Sequence, residues 1–430
     1  MEHQLLATPL LNNVLAPIAP KVDPQSVRCY GRTVELVIGN GLVTTEYATD
    51  FIVQAQQEVL LSTCFWAPSS SLVQLHNVLI TLNARAKQDG RRVSVRILFS
   101  SYSLAQKFLS FKGVRIWRSK TWKRLGLPST DTLECLDMTV LSRFKKPFGV
   151  MHAKFVIIDR QIVILPSSNI SCTILRIHLT EGENWYELAV RLEGEIVHYF
   201  VQYFFRYYHP TGASVPQSAT SSQPIYPSSI FREKYPDLLY SFESPQLPLA
   251  FLPSAPSRVG TFPFSPVHSP TTLFQVQAII QARRTIFIQT PNLTSRAILK
   301  AIKRALRNGI HVTLYLPRYM MVLESLVTGW TTTQCSVRWL LSWTRRHPET
   351  HLMLEWFQCD PYQAFPVDGE KTHIKFMVVD EELVIVGSSN LDRASACTSG
   401  EVDVAFVDAD LAWGILSAIK AHQRTGKSDI

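Results

Sequence analysis

The sequence lacks any apolar run that approaches the roughly 18 residues needed for a transmembrane helix. Its first residues include Glu2, an adjacent pair of asparagines and repeated prolines, a pattern that disfavours a secretory signal peptide. These absences predict a cytoplasmic protein whose contact with a membrane is at most peripheral.

Cysteine is also scarce, with seven residues that show no paired spacing and are odd in number. This pattern predicts reduced thiols rather than a disulfide framework or a zinc site, and we expect neither a metal nor another cofactor. Acidic residues are outnumbered, with 34 Asp and Glu against 43 Lys and Arg and a formal net charge of +9. The surplus favours anionic partners such as phospholipid headgroups or nucleic acid, although many soluble proteins are merely basic.

An internal repeat organises the chain, whose 430 residues suit two domains of ordinary size. Residues 51–100 and 274–317 both follow the order helix, strand, helix, strand. The glycines that follow the second helix of each copy, Gly90 and Gly309, lie 219 positions apart. The predicted strands are 58–62 and 92–98 in the first copy and 285–289 and 311–316 in the second.

Proline and serine fill the region between the two copies, so we expect a largely irregular linker there rather than a third domain. The expected organisation is an N-terminal extension (residues 1–45), a first lobe (46–210), the linker (211–270) and a second lobe (271–430).

Each copy is followed by the same polar pattern, His-x-Lys-x4-Asp and then a short loop ending in Ser-Ser-Asn. The two histidines lie 221 positions apart, nearly the offset of the glycines. Alternation along a strand is expected to place each His and its Lys on one face. The residues are His152, Lys154, Asp159 and the loop 166–169 in the first copy, and His373, Lys375, Asp380 and the loop 387–390 in the second.

A phosphodiester is anionic and repels nucleophiles. Its cleavage therefore needs a neutral nucleophile, cations on the non-bridging oxygens and an acid for the leaving alkoxide. Two His, two Lys and two Asn supply those roles. Both stretches resemble the His-x-Lys-x4-Asp-x6-Gly-Ser-x-Asn signature of the phospholipase D superfamily, in its two-motif, single-chain form. The second copy matches fully, whereas Pro166 replaces glycine in the first, and because proline fixes φ and lacks an N–H we expect that loop to sit differently.

The resemblance implies that one histidine attacks phosphorus to form a phosphohistidine while the other protonates the leaving oxygen, before water or an alcohol attacks. We expect His152 to be the nucleophile and His373 the acid/base. Asp159 and Asp380 complete the catalytic motifs, although their distance from the lysines favours a role in bracing the loops. The implied phosphate-binding residues are Ser167, Asn169, Ser388 and Asn390, and the His-orienting carboxylates are Glu187 and Glu401, with Glu183 and Asp403 as rivals.

Two alternatives compete with this interpretation. A single short motif of this kind is more often an ordinary strand with polar ends, although two matched copies in parallel contexts are hard to obtain by accident. A degenerate member that keeps the fold and has lost the activity also stays open, because function belongs to sites and not to folds.

Two segments interleave cations with aromatic residues, at 115–124 and 339–346. Both lie between the second strand of a repeat and the catalytic motif, where a substrate-selecting insert is expected. Either could hold a phosphate backbone or a membrane interface. The first segment is equally typical of an exposed loop anchored by its tryptophans. The second is more typical of a core-facing helix than of a lipid-binding segment.

The resemblance implies an α/β fold over about residues 51–411 apart from the linker: two similar sandwich lobes related by a pseudo-twofold, with the active site at their interface. The segment 288–294 and the first loop are most similar to an uncharacterised branch in filamentous fungi. The leading hypothesis is a metal-independent phosphodiesterase that cleaves or transfers a phospholipid headgroup. Its rivals are a nuclease, favoured by the positive charge, and a non-catalytic phosphate-binding protein. No obligate protein partner is expected.

Overall fold

The computed structural model describes residues 2–21, 23, 27–101, 113–145, 149–170, 185–209, 215, 229–257, 269–359 and 371–427. The chain forms two compact units. The first lobe is the continuous stretch Gly31–Glu243, and the second lobe combines Met1–Tyr30 with Ser244–Ile430.

These boundaries differ from those expected from the sequence. Residues 1–45 are not a separate extension, because residues 1–30 belong to the second lobe and the rest to the first. The Pro/Ser-rich region 211–270 contains a helix and two strands within residues 229–253. One of those strands, Leu247–Pro253, is mostly buried, so its apolar side chains join a core instead of a solvated linker.

The helices and strands follow one another in the order helix, strand, helix, strand in both halves, as the repeat predicted. The helices are α1 (Glu2–Leu15), α2 (Gly41–Ile52), α3 (Ser70–Gln88), α4 (Ile196–Tyr208), α5 (Ser229–Lys234), α6 (Pro270–Gln281), α7 (Arg296–Arg307), α8 (Val322–Gly329), α9 (Thr333–Thr344), α10 (Arg393–Cys397) and α11 (Ala409–Ala421). Short 3₁₀ segments lie at Ala16–Ile18, Ser119–Leu125 and Thr130–Thr132.

The strands carry the apolar runs of the sequence. They are β1 (Arg28–Gly39), β2 (Glu58–Phe65), β3 (Val93–Ser101), β4 (Val114–Trp117), β5 (Leu136–Lys145), β6 (Gly149–Val150), β7 (Phe155–Ile158), β8 (Ile162–Pro166), β9 (Glu187–Glu193), β10 (Leu239–Ser241), β11 (Leu247–Pro253), β12 (Thr285–Gln289), β13 (His311–Leu316), β14 (Leu352–Cys359), β15 (Phe376–Val379), β16 (Leu383–Gly387), β17 (Val402–Val407) and β18 (Gln423–Lys427).

The first lobe is built on one mixed sheet in the order β4-β5-β3-β2-β7-β8-β9-β1-β10. Strands β2, β3 and β5 are parallel, and the pairs from β2–β7 to β1–β10 are antiparallel. Helix α4 packs against β2 and β7–β9. Its Phe200 and Phe204 meet the ring of Phe155 edge-on, with centroids 5.1 and 6.4 Å away. These contacts fix β7, the strand that follows the first motif.

The second lobe repeats the arrangement in the order β18-β14-β13-β12-β15-β16-β17-β11. Strands β12, β13 and β14 are parallel and the remaining pairs antiparallel, so β12, β13, β15, β16 and β17 occupy the places of β2, β3, β7, β8 and β9. Each lobe is therefore a mixed α/β unit, which confirms the predicted fold class.

The core of the second lobe includes residues from the start of the chain. Leu11, Val14 and Leu15 of α1 are buried in the same cluster as Phe274 of α6 and Ile288 of β12. Helix α1 thus completes this lobe although more than 200 residues separate it from the rest. Within the described part of the chain, no helix combines the length and apolarity needed to cross a bilayer.

Candidate functional site

His152 and Lys154 lie directly before β7 in an irregular segment, not inside a strand as expected. Both are buried, and Lys154 Nζ lies 3.2 Å from His152 Nε2 and 2.9 Å from the carbonyl oxygen of His152. The two side chains therefore converge as the spacing predicted. Donation from the ammonium to Nε2 requires that nitrogen to be unprotonated, the form that a nucleophile also needs.

The second motif has the same local structure. His373 and Lys375 precede β15 and are buried, and Lys375 Nζ donates to the carbonyl oxygen of His373 at 2.6 Å. In both lobes the lysine thus folds back on the backbone of its own histidine. In the first motif this placement also keeps the ammonium beside the imidazole.

The aspartate of each motif binds backbone. Asp159 accepts hydrogen bonds from the N–H groups of Gln56, Gln57 and Glu58 at 2.7–2.8 Å. Asp380 likewise accepts from the N–H groups of residues 283–285 at 2.7–3.1 Å. Each carboxylate therefore holds the entry to the neighbouring strand, β2 or β12, and its contacts are those of a bracing group.

The first serine of each loop contacts the glutamate proposed from the sequence. Ser167 Oγ donates to Glu187, and Ser388 Oγ donates to Glu401 Oε2 at 2.6 Å. All four residues are buried. Glu401 also accepts from Ser395 Oγ at 2.8 Å. The glutamates therefore fix the loops that follow the His-Lys pairs, while the rival Glu183 lies outside the described residues.

Pro166 does not displace the serine that follows it. The N–H of Ser167 donates to the carbonyl of Leu188 at 2.8 Å, just as the N–H of Ser388 donates to Val402 at 3.0 Å. Pro166 lies opposite Ala189, whereas Gly387 lies opposite Asp403. A small residue thus faces proline in one lobe, and glycine faces a carboxylate in the other.

Gly387 is required by that neighbour. A Cβ at this position would lie 2.3 Å from Asp403 Oδ1 and 2.4 Å from the carbonyl oxygen of Val402. We therefore expect Gly387→Ala to lower the free energy of unfolding by about 3 kcal/mol through overpacking against backbone. Urea unfolding measures the loss. Gly90→Ala is the comparison: open space surrounds Gly90, but its φ of +65° strains an alanine, so a smaller loss of about 1 kcal/mol is expected there. Equal losses in both variants would contradict the steric argument.

The two loop asparagines differ more than the serines. Asn169 Oδ1 accepts from the N–H groups of Cys64 and Phe65 at 3.2 and 3.3 Å. In the second lobe the residue equivalent to Cys64 is Pro291, which has no N–H. Asn390 instead donates through Nδ2 to Asp392 at 3.1 Å, and its Oδ1 has no hydrogen-bond partner among the described residues. The sequence patterns match, but the amide groups are oriented by different neighbours.

Asp403 is a buried acid beside the second motif. Its Oδ1 accepts from the N–H of Ser389 at 3.0 Å and its Oδ2 accepts from Gln275 Nε2 at 2.9 Å. The pKa of Asp403 is raised to about 7, first by burial and then by the negative charge of Glu401, against the lowering effect of the hydrogen bonds from Ser389 and Ser388. A small cavity lined by Lys375, Gln275, Ser389 and Asp403 adjoins this carboxyl group.

This raised pKa predicts a pH-dependent stability. The folded protein holds the Asp403 proton more tightly than the unfolded chain does, so stability falls as pH rises from about 4 to 7 and stays lower above that range. The side chain of Asp403→Asn cannot ionise. Between pH 5 and 8 we therefore expect the free energy of unfolding of the wild type to fall by about 2 kcal/mol relative to that of this variant. Urea unfolding at several pH values tests this, with exposed Asp410→Asn as the control. Parallel pH profiles for wild type and Asp403→Asn would contradict it.

Several contacting residues were not identified from the sequence. Thr63 and Thr290 occupy equivalent positions, since their hydroxyls accept from the N–H groups of Ile170 and Leu391, respectively, at 3.3 and 3.2 Å. Their placement at the ends of β2 and β12, in matching positions of the repeat, was the signal that could have identified them. Gln275 and Ser395 had no such signal, because their partners are distant in sequence or lie in a loop.

The two aromatic-basic segments differ in structure. In the first, Trp117 and Trp122 are buried, and their indole N–H groups donate to Ser142 Oγ and the Trp117 carbonyl, as expected of an anchored loop. In the second, Trp343 is buried on α9 but Trp339 is 46% exposed. The expectation of a core-facing helix therefore holds for only one of its two rings. No group of three or more His, Cys, Asp or Glu side chains suited to a metal occurs among the described residues.

Comparison with known proteins identifies the family. Residues 49–207 and 276–421, together more than half of the chain, match the family described as "Cardiolipin synthase, PLD-like domain". Cardiolipin synthase A of Buchnera aphidicola subsp. Acyrthosiphon pisum (strain APS) is 22% identical over 283 residues, covering 65% of this chain. The chain spans about half the length of that curated relative, 49%.

A solved structure supports the fold. The phosphatidylserine synthase of Haemophilus influenzae Rd KW20 superposes with a TM-score of 0.58 at 14% identity, covering 92% of this chain and 89% of that one. At this identity the likeness concerns architecture alone. With the family match over both repeats, the twin motifs and the shared fold, the chain belongs to the phospholipase D superfamily, in its cardiolipin synthase, PLD-like domain family.

Proposed function

We propose that the protein cleaves or transfers the headgroup of a phospholipid through a phosphohistidine intermediate, with His152 and His373 acting on one phosphodiester. The observation that carries the proposal is the buried His-Lys pair in each lobe, above all the 3.2 Å approach of Lys154 Nζ to His152 Nε2. The family and the relatives named as cardiolipin and phosphatidylserine synthases favour a phospholipid over other phosphodiesters.

In the proposed first step, Nε2 of His152 attacks phosphorus and forms an N–P bond while the P–O bond to the headgroup breaks. His373 gives its proton to the leaving alkoxide, which departs as an alcohol. In the second step His373 removes a proton from water or from an acceptor alcohol, whose oxygen attacks phosphorus and breaks the N–P bond. Water yields phosphatidic acid, and an acceptor alcohol yields a new phosphodiester.

The remaining motif residues have supporting roles in this proposal. Lys154 and Lys375 neutralise the non-bridging oxygens, a task for which their ammonium groups are suited. The loop asparagines Asn169 and Asn390 bind phosphate oxygens, and Glu187 and Glu401 hold the loops by accepting from Ser167 and Ser388, whose hydroxyl protons are thereby committed. The oxygen of the Asn169 amide accepts from β2, and the NH₂ group is the end of the amide that can donate to a phosphate oxygen.

The test compares substrate classes in the presence of EDTA. Release of choline from phosphatidylcholine vesicles, formation of cardiolipin from phosphatidylglycerol vesicles and release of nucleotides from single-stranded DNA are measured side by side. The control is His152→Ala/His373→Ala. Lipid turnover that is absent from the control supports the proposal. Adding a short primary alcohol separates transfer, which gives a phosphatidyl alcohol, from hydrolysis.

A nuclease is the second candidate, favoured by the net charge of +9. DNA cleavage without lipid turnover would establish it and overturn the phospholipid assignment. Activity in none of the three assays would favour a protein that binds phosphorylated ligands without turning them over.

A further inference from the structure

One face of the second lobe is cationic. Helix α7 is amphipathic: Ile298, Ile302 and Leu306 are buried on one side. Its polar positions contain five basic residues and no acidic one. Helix α9 packs alongside, with one basic residue in its middle and two directly after its end. The basic residues are Arg296, Lys300, Lys303, Arg304 and Arg307 of α7, and Arg338, Arg345 and Arg346 of α9 and the turn after it.

Four of these cations are not neutralised by an acidic side chain among the described residues. Within the described part of the chain Lys300, Lys303, Arg304 and Arg307 take part in no ion pair. Lys303 Nζ lies over the rings of Trp339 and Trp343, 4.5 and 4.8 Å from their centroids. Burial lowers the pKa of Lys303, and the neighbouring Arg307 and Arg346 lower it further. A positive potential is therefore built into this face.

Exposed apolar side chains accompany the charges. Trp339 projects from α9 and is 46% exposed. Leu326 lies on α8 and is 46% exposed, and Trp330, in the turn that joins α8 to α9, is 65% exposed. Tyr319, just before α8, is 68% exposed. Exposed aromatic rings and an exposed leucine, together with cations that have no acidic partner, are typical of a surface that contacts lipid headgroups.

The same helices are attached to the second motif. The N–H of Leu293 donates to Thr333 Oγ1 at the start of α9, and Thr294 packs against Gly329 at the end of α8. The N–H of Thr294 in turn donates to the carbonyl of Leu391, directly after the loop that carries Ser388 and Asn390. Residues 293 and 294 therefore connect α8 and α9 to the loop that carries Ser388 and Asn390.

We propose that this α7–α9 surface, formed by the basic residues of α7 and α9 with Tyr319, Leu326, Trp330 and Trp339, docks on an anionic phospholipid bilayer. The proposal rests on the proposed function in that its substrate is a membrane lipid. A bilayer fits better than single-stranded nucleic acid, because Leu326 has no use in base stacking and Lys303 already covers the ring of Trp339. Indoles and leucines instead enter the headgroup region beside Lys and Arg.

Vesicle flotation tests the surface without relying on turnover, because every variant is made in the His152→Ala/His373→Ala background. Vesicles of phosphatidylcholine alone are compared with vesicles that also contain phosphatidylglycerol. Lys300→Glu/Arg304→Glu should lower binding to the anionic vesicles about 30-fold, at about fivefold for each basic residue near the membrane. Leu326→Ser/Trp330→Ser should lower it about tenfold. Thermal unfolding verifies that each variant is folded.

Matched controls carry the same changes elsewhere. Arg85→Glu/Arg92→Glu reverses two exposed charges on the first lobe, and Trp413→Ser removes a 74% exposed indole from α11. Both should bind like the parent protein. Equal binding to both vesicle types, or test variants that bind like the controls, would overturn the proposal. Binding to single-stranded DNA is measured in parallel. If the test variants lost DNA binding and kept vesicle binding, the surface would be a nucleic-acid site and the proposal would be overturned. Vesicle binding is measured in variants without catalytic histidines. A failure to detect headgroup release in the separate activity assay would therefore not affect the outcome of the binding test.

Discussion

Alanine at either His152 or His373 is expected to lower phospholipid turnover by about 10⁴-fold. Without His152 the N–P bond of the proposed intermediate has no nitrogen to form it, and without His373 the leaving alkoxide has no proton donor. Steady-state headgroup release at saturating lipid measures the loss. Thermal unfolding of the same samples shows whether the fold is intact. A variant that keeps a tenth of the activity would remove that histidine from the proposed chemistry.

The two variants should differ with a substrate whose leaving group needs no proton. A p-nitrophenyl phosphodiester that carries a label on its phosphoryl part should be attacked in His373→Ala and leave labelled protein after quenching in alkaline denaturant, which preserves the N–P bond, because the second step then lacks its base. His152→Ala should form no labelled protein. The opposite pattern would exchange the roles of the two histidines while retaining the two-step mechanism.

Alanine at Asp159 or Asp380 is expected to lower the free energy of unfolding by about 4 kcal/mol. Each carboxylate is buried and accepts from three backbone N–H groups, which would be left without an acceptor inside the protein. Asparagine keeps one acceptor oxygen and should recover about half of the loss. Urea unfolding measures both, and each lobe is expected to respond in its own transition.

Exposed Asp131→Ala is the control for these aspartates and should change stability by less than about 0.5 kcal/mol. Turnover per folded molecule should survive in Asp159→Asn and Asp380→Asn at low temperature. An aspartate whose asparagine variant is fully stable but inactive would have a direct role in the reaction and would contradict the bracing role.

The repeat and the motif positions could be predicted from sequence because each depends on local pattern. Strands β12 and β13 have the predicted bounds, since their apolar runs end at polar or glycine-containing turns. The strand expected around His152 was wrong by a few residues, because the segment 152–154 lies before the sheet pairing starts at Phe155. The local pattern of apolar residues predicts that a strand is present, whereas its first and last residues depend on pairing with neighbouring strands.

Other features depend on partners that no local pattern reveals. The difference between Pro166 and Gly387 could be seen in the sequence, but its reason is the residue opposite each one, Ala189 or Asp403. Residues 1–45 were expected to form an N-terminal extension without a predicted helix, whereas Glu2–Leu15 forms helix α1. Its burial against α6 became evident only from the packing of the second lobe.

The first lobe is inserted in sequence within the second, since residues 1–30 and 244–430 belong together. During synthesis the first lobe is complete once its own continuous stretch has left the ribosome. Leu11, Val14 and Leu15 stay without most of their packing partners until β11 and the elements that follow it, from residue 247 onward, have been translated. The nesting therefore sets the order of folding, because α1 is translated before the first lobe but is buried only after it.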